Sequence, residues 1–417
     1  MKNKMGFNAT WSMAVGGMVG GGIFSVLGVV VDLSGQWAWL SFVLAGIISI
    51  ISAHGYSQLS IKYQQSGGAF TFLKEINHKK LGGGLSWVLI VGYILTISVY
   101  AFTFGHYVAH VFHAGAWLPK FLAFSVIAIL ALVNLRGVGD ASMVEIITVW
   151  GKLAVLLGLS AYGLYLWNPE ALSEGMQPKS WTTALMGAAT IFMAYEGFQL
   201  LSYDYEDIEN AEKTLPRAMM TAVIAVIAIY VMVSLGATML VGAKTLIEQE
   251  EVALAVAGKQ AFGMTGLILV TIAAAFSTGS AINATLFSTG RLMERVANEH
   301  VLPSWLSKEN KSGIPWLAIV IIAGFAGLLS AIGSLSTLVD AASLIFLVTF
   351  GTVNFIAFRE KIKWHWLSLI GFGGCLAAAI ASTIRQFQIN PVAIGIVLFL
   401  LMAAFFGSPL ILKSEKD

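Results

Sequence analysis

The strongest constraint in this sequence is a succession of apolar runs, each close to the length that crosses a lipid bilayer. Crossing takes about 20 apolar residues in a helix, because a helix satisfies its own backbone polar groups where water is absent. Twelve such runs can be counted, near residues 8–33, 36–62, 84–112, 121–135, 141–167, 181–204, 216–242, 262–290, 315–333, 337–358, 364–385 and 391–412. The sequence therefore predicts an all-α polytopic membrane protein with 12 transmembrane helices.

Composition excludes a soluble fold. Only 11% of the 417 residues are charged and 57% are hydrophobic, whereas a soluble domain averages about 25% charged residues. No connection between the runs is long enough to hold a soluble domain, so we predict a single transmembrane domain over residues 1–417. The basic N-terminus leads into an apolar run that is too long for a secretory signal, and we interpret this run as the first span. The single cysteine, Cys375, excludes an internal disulfide framework.

Lysine and arginine are distributed asymmetrically between the two ends of the predicted spans. Of the 24 basic residues, Lys152 falls inside the fifth span and 18 fall on the side of the N-terminus. The other side receives only Lys120, Lys179, Lys244, Lys259 and Arg385. Cytoplasmic loops of membrane proteins carry an excess of basic residues. We therefore predict a multi-pass protein of the cytoplasmic (inner) cell membrane with both termini in the cytoplasm.

The first span is rich in glycine at a depth where a helix is expected to be regular. Its glycines are Gly16, Gly17, Gly20, Gly21 and Gly22. Glycine costs about 1 kcal/mol relative to alanine in a helix, and unwound backbone is tolerated in a membrane only where protein or a cavity surrounds it. We predict that this helix is broken. The alternative is an intact helix whose glycines allow close contact with neighbouring helices.

The sixth span carries a second predicted break. It reads IFMAYEGFQLLSYDYED, with Glu196 beside Gly197 near the middle of the membrane. Paired broken helices at equivalent positions of two repeats indicate a substrate site near the midplane of a transporter. Their free N–H groups suit a carboxylate and their free carbonyls suit an ammonium group. We predict a first five-helix repeat over residues 8–167, a second over 181–358, and two further helices over 364–412.

Several motifs resemble those of the amino acid–polyamine–organocation (APC) superfamily of transporters. They are GGGIFS at 20–25, SGGAFTFLKE at 66–75, AYEGFQLLSYDYEDIENAEKTLPRAM at 194–219, FSTGSAINATLFSTGRL at 276–292 and VLP at 301–303. The run VEIITVWGKLAVLLGL at 144–159 is similar to the fifth helix of a proton-coupled, broad-specificity branch. The resemblance implies the LeuT fold, a 5+5 inverted repeat followed by two helices. It also implies secondary active transport of L-amino acids by alternating access, through sodium-independent proton symport.

The resemblance also implies which residues bind the substrate. Backbone N–H groups would bind the carboxylate, from Gly20, Gly21, Gly22 and Ile23. Main-chain carbonyls would hold the amine, from Met18, Val19, Met193, Ala194 and Glu196. Phe192 and Met193 stand where relatives have a bulky gate, with core packing a nearly equal alternative. Gln199 replaces a glutamate that is functional in some relatives.

Lys152 lies near the centre of the fifth span, too deep for its ammonium to reach water easily. A lysine there costs about 2.5–3.5 kcal/mol, so it is expected to be paired, neutral or functional, and a purely structural lysine is one alternative. By resemblance, its ammonium would replace the sodium ion of sodium-coupled relatives. It would reach the Gly16 carbonyl, the Ser277 hydroxyl and Ser280. We predict that its protonation couples transport to protons.

The side chain of Glu196 is compatible with three roles. It could recognise a cationic substrate, serve as a second proton site, or hydrogen-bond a neighbouring helix. The first role supports a rival function, an exchanger or facilitator for cationic amino acids or polyamines. An enzyme is not predicted, because the sequence contains no clustered catalytic residues, P-loop or GxSxG elbow.

The expected partners are a small-molecule substrate, a proton and the lipid bilayer. No cofactor, metal or nucleic acid is predicted. His106 and His110 are four residues apart on one predicted helix, but no glutamate completes a zinc motif. Asp340 lies near the end of a span, and we interpret it as facing solvent.

Overall fold

The structure is a computed structural model that describes residues 4–76, 79–112, 115–136 and 142–389, together with residue 395. Twelve α-helices occur in these residues. They are α1 (Phe7–Ser34), α2 (Ala38–Tyr63), α3 (Gly68–Glu75), α4 (Lys79–Phe112), α5 (Trp117–Leu135), α6 (Ser142–Tyr165), α7 (Thr183–Thr190), α8 (Ala211–Glu248), α9 (Ala253–Asn298), α10 (Trp316–Ile332), α11 (Leu335–Arg359) and α12 (His365–Ile389). Short 3-10 helices connect them at Gly35–Trp37, Pro169–Leu172, Phe192–Tyr195, Phe198–Tyr203, Tyr205–Asp207, Glu250–Val252 and Ser304–Ser307.

Apolar helices long enough to cross a membrane account for much of the described chain. Seven segments qualify by length and composition: Phe7–Tyr63, Gly83–Phe112, Trp117–Leu135, Ala211–Glu248, Glu250–Asn298, Leu335–Arg359 and His365–Ile389. The first eleven predicted apolar runs each overlap a helical segment, and the twelfth, 391–412, lies outside the described residues except for residue 395. The chain is a multi-pass, helical membrane protein.

Helix α1 lies at the centre of the bundle. It packs against α4, α6, α7, α8, α9 and the 3-10 turns that follow α7. Its buried residues lie on every face of the helix, and most of them are apolar or glycine, as expected of a helix that is surrounded by protein. By contrast, α5 and α12 expose apolar side chains such as Phe124, Ile129, Ile380 and Phe387, as expected of helices at a lipid boundary.

The predicted break in the first span is not found, because α1 is continuous from Phe7 to Ser34. The glycines allow close helix contact instead, which was the alternative interpretation. A Cβ atom on Gly20 would lie within 2.5 Å of the Ala281 Cβ atom of α9. The helical cost of the glycines is therefore offset by packing that a larger residue would prevent.

The sixth predicted span is not one helix. Helix α7 ends at Thr190, and two 3-10 turns, Phe192–Tyr195 and Phe198–Tyr203, complete the crossing. Between them Glu196 is extended, with ψ 138°, and Gly197 has φ 138°. Residues with a Cβ atom rarely adopt that φ, so glycine suits the position.

Candidate functional site

Glycines of α1 bring its backbone against the interrupted sixth span. A Cβ atom on Gly17 would lie 2.9 Å from the Gly197 Cα atom. A Cβ atom on Gly22 would lie 2.6 Å from the Tyr230 hydroxyl and 2.9 Å from the Ala194 carbonyl oxygen. These separations are shorter than van der Waals contact, so only glycine allows the two backbones to approach this closely.

Two of the carbonyls that the family resemblance assigns to a substrate amine converge on one hydroxyl. The Tyr230 hydroxyl of α8 lies 2.7 Å from the Met18 carbonyl oxygen and 2.8 Å from that of Ala194. All three residues are buried. One O–H donates fully to one acceptor at a time, so the other carbonyl keeps a free lone pair. Carbonyl oxygens from two separate segments thus meet at a point that suits an ammonium group.

The predicted carboxylate-binding groups are arranged differently. Gly20, Gly21, Gly22 and Ile23 lie inside the continuous helix α1, where each N–H is engaged by the carbonyl four residues earlier. An N–H has no second hydrogen to offer, whereas a carbonyl keeps a second lone pair. In this conformation the four N–H groups are therefore engaged within α1, and their binding of a carboxylate stays a prediction for another state of the protein.

The side chain of Glu196 is buried beside the interruption. Its carboxylate accepts hydrogen bonds from the Gln199 amide at 2.9 Å and from the Tyr100 hydroxyl at 3.4 Å. The side-chain oxygen Oε1 of Gln199 accepts a hydrogen bond from the Gly197 N–H at 2.8 Å. This bond satisfies a backbone donor at the interruption of the helix. Both donors to the carboxylate are neutral, and Glu196 is only 1% exposed.

Two further side chains bind the backbone of α1 from α6 and α9. The ammonium of Lys152 donates to the Gly16 carbonyl oxygen at 3.1 Å, and the Ser277 hydroxyl donates to the Val19 carbonyl oxygen at 2.7 Å. Lys152 is 2% exposed, so the charged end of this side chain lies in the interior of the bundle. Ser280, one turn further along α9, is only partly buried.

All of the predicted substrate-binding residues are inaccessible to solvent in this conformation. They are Met18, Val19, Gly20, Gly21, Gly22, Ile23, Phe192, Met193, Ala194, Glu196 and Gln199. Toward the N-terminal end of the bundle, the hydroxyls of Tyr93 and Tyr203 lie 3.3 Å apart. Toward the opposite end, the Tyr107 hydroxyl donates to the Phe24 carbonyl at 3.2 Å. In this structure the predicted site is therefore closed to solvent from both ends of the bundle.

Three residues near this site were not identified from the sequence. They are Tyr230, Tyr100 and Ser343, whose hydroxyl accepts the Met193 N–H at 3.0 Å. Their only sequence signal is a hydroxyl inside an apolar helix, a feature shared by many other serines, threonines and tyrosines of this chain. What distinguishes them is the direction in which each side chain points.

The interpretation of Asp340 as solvent-facing is wrong. Asp340 is 7% exposed and pairs with Arg385 of α12 at 3.3 Å. The sequence places the two residues in different spans, so their pairing depends on how α11 packs against α12. Because a buried carboxylate is costly without a partner, the pair explains how Asp340 is tolerated there.

Comparison with known proteins shows that the chain is a membrane transporter and not an enzyme. Residues 5–413 match the amino acid permease family, and the chain belongs to that family. The inner membrane transport protein YbaT of Escherichia coli is 29% identical over 362 residues, covering 85% of this chain and 83% of YbaT. The serine/threonine exchanger SteT of Bacillus subtilis is 26% identical, covering 76% of this chain and 74% of SteT.

A solved structure supports the fold assignment. It is a crystal structure of a manganese transporter mutant from Eremococcus coleocola, which is similar with a TM-score of 0.62. The match covers 98% of this chain and 94% of the other, at 10% sequence identity. At that identity the likeness concerns the fold alone.

Proposed function

We propose that this protein carries L-amino acids across the cytoplasmic membrane by alternating access, as a sodium-independent proton symporter. The observation that carries the proposal is the buried ammonium of Lys152 at the Gly16 carbonyl. This cationic group binds the backbone of the central helix, beside carbonyls that suit a substrate amine. Both termini would lie in the cytoplasm, and residues 8–167 and 181–358 would form the two repeats that move against each other.

The amine of the substrate would bind where the carbonyls of Met18 and Ala194 converge. In this structure the Tyr230 hydroxyl lies there. An ammonium has three donors, so it would share the two carbonyl oxygens with Tyr230 or displace its hydroxyl from them.

Carboxylate binding would need α1 to open at Gly20–Gly22 in another state of the cycle. Glycine has the conformational freedom for such a change. The freed N–H groups of this segment would then bind the carboxylate, as backbone donors of broken helices do in related folds.

Proton coupling would follow from the contact between Lys152 and Gly16. With its proton, the ammonium donates to the carbonyl and holds α1 against α6. Without it, the neutral amine would be a weaker donor, and α1 would be freer to move. A change of protonation between the two states of the carrier would therefore couple to the motion of α1.

Uptake into proteoliposomes tests this proposal. We expect a radiolabelled neutral amino acid to accumulate when an inward proton gradient is imposed without sodium. Collapse of the gradient by a protonophore should abolish accumulation. Uptake that ignores the gradient, but requires amino acid inside the vesicle, would replace symport with exchange.

A second candidate function rests on Glu196, whose carboxylate is buried with neutral donors. The two hydrogen-bond donors to this carboxylate are neutral, and the positive charge of a cationic amino acid or polyamine would pair with it. The protein would then act as an exchanger or facilitator. The similarity to SteT, an exchanger, supports considering this mode. A binding competition separates the two candidate functions. If Glu196 binds the positive charge of the substrate, arginine or putrescine should displace alanine from the wild type but not from Glu196→Gln.

A further inference from the structure

The sixth span changes from α-helix to a 3-10 turn just after Thr190, beside Ser343 of α11. In an α-helix, the Ala194 N–H would donate to the Thr190 carbonyl four residues earlier. Here it donates to the Ile191 carbonyl, three residues earlier, at 2.8 Å. The Thr190 carbonyl is thereby left without its helical donor.

One hydroxyl forms hydrogen bonds with two backbone groups where the α-helix changes to the 3-10 turn. Ser343 donates its O–H to the Thr190 carbonyl oxygen and accepts the Met193 N–H at 3.0 Å. A serine hydroxyl has one donor and two lone pairs, so it makes both bonds at once. All three residues are 0% exposed, which means that bulk water does not reach the position to replace the hydroxyl.

The end of α7 is also held through its side chain. Arg385 of α12 donates to the Thr190 hydroxyl and pairs with Asp340 at 3.3 Å. Asp340 and Ser343 are three residues apart on α11, so they lie on the same face of that helix. Helices α11 and α12 together therefore fix Thr190 by its backbone and by its side chain.

We propose that Ser343 is a positioning residue for substrate binding. By bonding to the backbone of Thr190 and Met193, it stabilises the change from α-helix to 3-10 turn in the sixth span. It thereby holds the carbonyl of the next residue, Ala194, in the position proposed to bind the substrate amine. That carbonyl lies 2.8 Å from the Tyr230 hydroxyl, whereas Ser343 itself acts only through the backbone. The inference rests on the proposed function, in which the Ala194 carbonyl accepts the substrate amine.

Transport kinetics of three variants test the role. Ser343→Ala leaves two buried backbone groups without their partner. We expect KM to rise at least about threefold, since each of the two lost hydrogen bonds corresponds to a factor of about three to ten. The maximal rate should change less. Ser343→Thr keeps the hydroxyl and should restore KM, and Ser343→Cys, a weaker donor and acceptor, should be intermediate.

A matched control removes a buried hydroxyl elsewhere. Ser330 of α10 donates to the Gly327 carbonyl of its own helix at 2.9 Å and is 2% exposed. Ser330→Ala should therefore leave KM unchanged. A rise in KM equal to that of Ser343→Ala would mean that any lost buried hydroxyl has this effect, and it would overturn the proposal.

Hydrogen exchange of the purified protein in nanodiscs gives a readout that needs no transport. Backbone amides of residues 190–196 should exchange faster in Ser343→Ala than in wild type, Ser343→Thr or Ser330→Ala. Unchanged exchange overturns the proposal, whatever happens to KM. Faster exchange in a protein that proves to carry no amino acid would remove the proposed function and leave the positioning of the backbone standing. If Ser343→Ala does not fold, Ser343→Cys supports the same comparison.

Discussion

The hydroxyl oxygen of Tyr230 lies 2.7 Å from the carbonyl oxygen of Met18, so a side chain of α8 bonds directly to the main chain of the central helix. The same hydroxyl reaches Ala194 at 2.8 Å. It therefore connects the two segments that the proposed substrate would contact. Because the contacts are to backbone, their geometry depends on the packing of three helical segments and not on the identity of residues 18 and 194.

Replacement of Tyr230 by phenylalanine should weaken substrate binding. The substitution removes one hydroxyl and leaves the ring in place, so the buried carbonyls of Met18 and Ala194 lose their donor. We expect KM for the transported amino acid to rise about three- to tenfold, with melting temperature affected little. Tyr107→Phe is the matched control, since Tyr107 is equally buried but bonds to Phe24. Equal effects of both variants would argue against a special role of Tyr230.

Lys152→Ala should abolish accumulation driven by a proton gradient. The substitution removes the ammonium that donates to Gly16, and hydrogen bonds from charged groups contribute about 1.5–3 kcal/mol. We expect the initial rate to fall at least about tenfold. Uptake is to be measured in proteoliposomes at several external pH values. A variant that still accumulates substrate with the pH profile of the wild type would reduce Lys152 to a structural role.

Gly17→Ala should destabilise the protein, because its new methyl group would lie 2.9 Å from the backbone of Gly197. Backbone moves less readily than a side chain, and overpacking typically costs about 1–3 kcal/mol. The midpoint of thermal unfolding in detergent measures the effect. Gly158→Ala is the control, since no atom lies within 4 Å of its added methyl group. Equal melting temperatures of the two variants would contradict the close approach.

The ion pair between Lys62 and Glu360 should give a pH-dependent part of the stability. The hydrogen bond from Lys62 at 2.6 Å, and its charge, hold the pKa of Glu360 below its ordinary value of about 4.3. A lowered pKa stabilises the fold above the ordinary value, and the stabilisation is lost as pH falls through the lowered pKa. Both side chains are partly exposed, so the ion pair should contribute about 0–1 kcal/mol to the free energy of unfolding at pH 7.

Melting temperatures of wild type and Glu360→Gln, compared between pH 3 and pH 8, check this expectation. The difference should be constant near neutrality and shrink below about pH 4. Lys62→Met should reproduce the same loss. A difference that grows on acidification would have the wrong sign for this pair.

The arrangement of apolar helices could be predicted from the sequence because bilayer thickness and backbone hydrogen bonding constrain it tightly. The glycines of α1 were harder to interpret. Glycine both frees a backbone and allows another backbone to approach, and the first span alone does not distinguish the two effects. The position of Gly197 opposite Gly17 shows that close approach is the effect realised in this conformation.

Part of the candidate site could be predicted as well. Lys152 was identified because a cation inside a span is costly, and the structure places it at Gly16, although its role in coupling stays a prediction. Tyr230 and Ser343 were missed for a physical reason. Their helices are apolar on most faces, so no amphipathic pattern indicates which residues point inward, and only packing decides it.

The ammonium at the Gly16 carbonyl is covalently part of the chain, and this has a consequence for the environments in which the protein could work. A dissolved metal ion fills a site in proportion to its concentration in the medium. A tethered ammonium is present at one copy per molecule whatever the salinity outside, as long as it holds its proton. Dilution of the surrounding salt would therefore not empty this position. Its occupancy would be the same in a cell that grows in fresh water and in a cell that grows in brine.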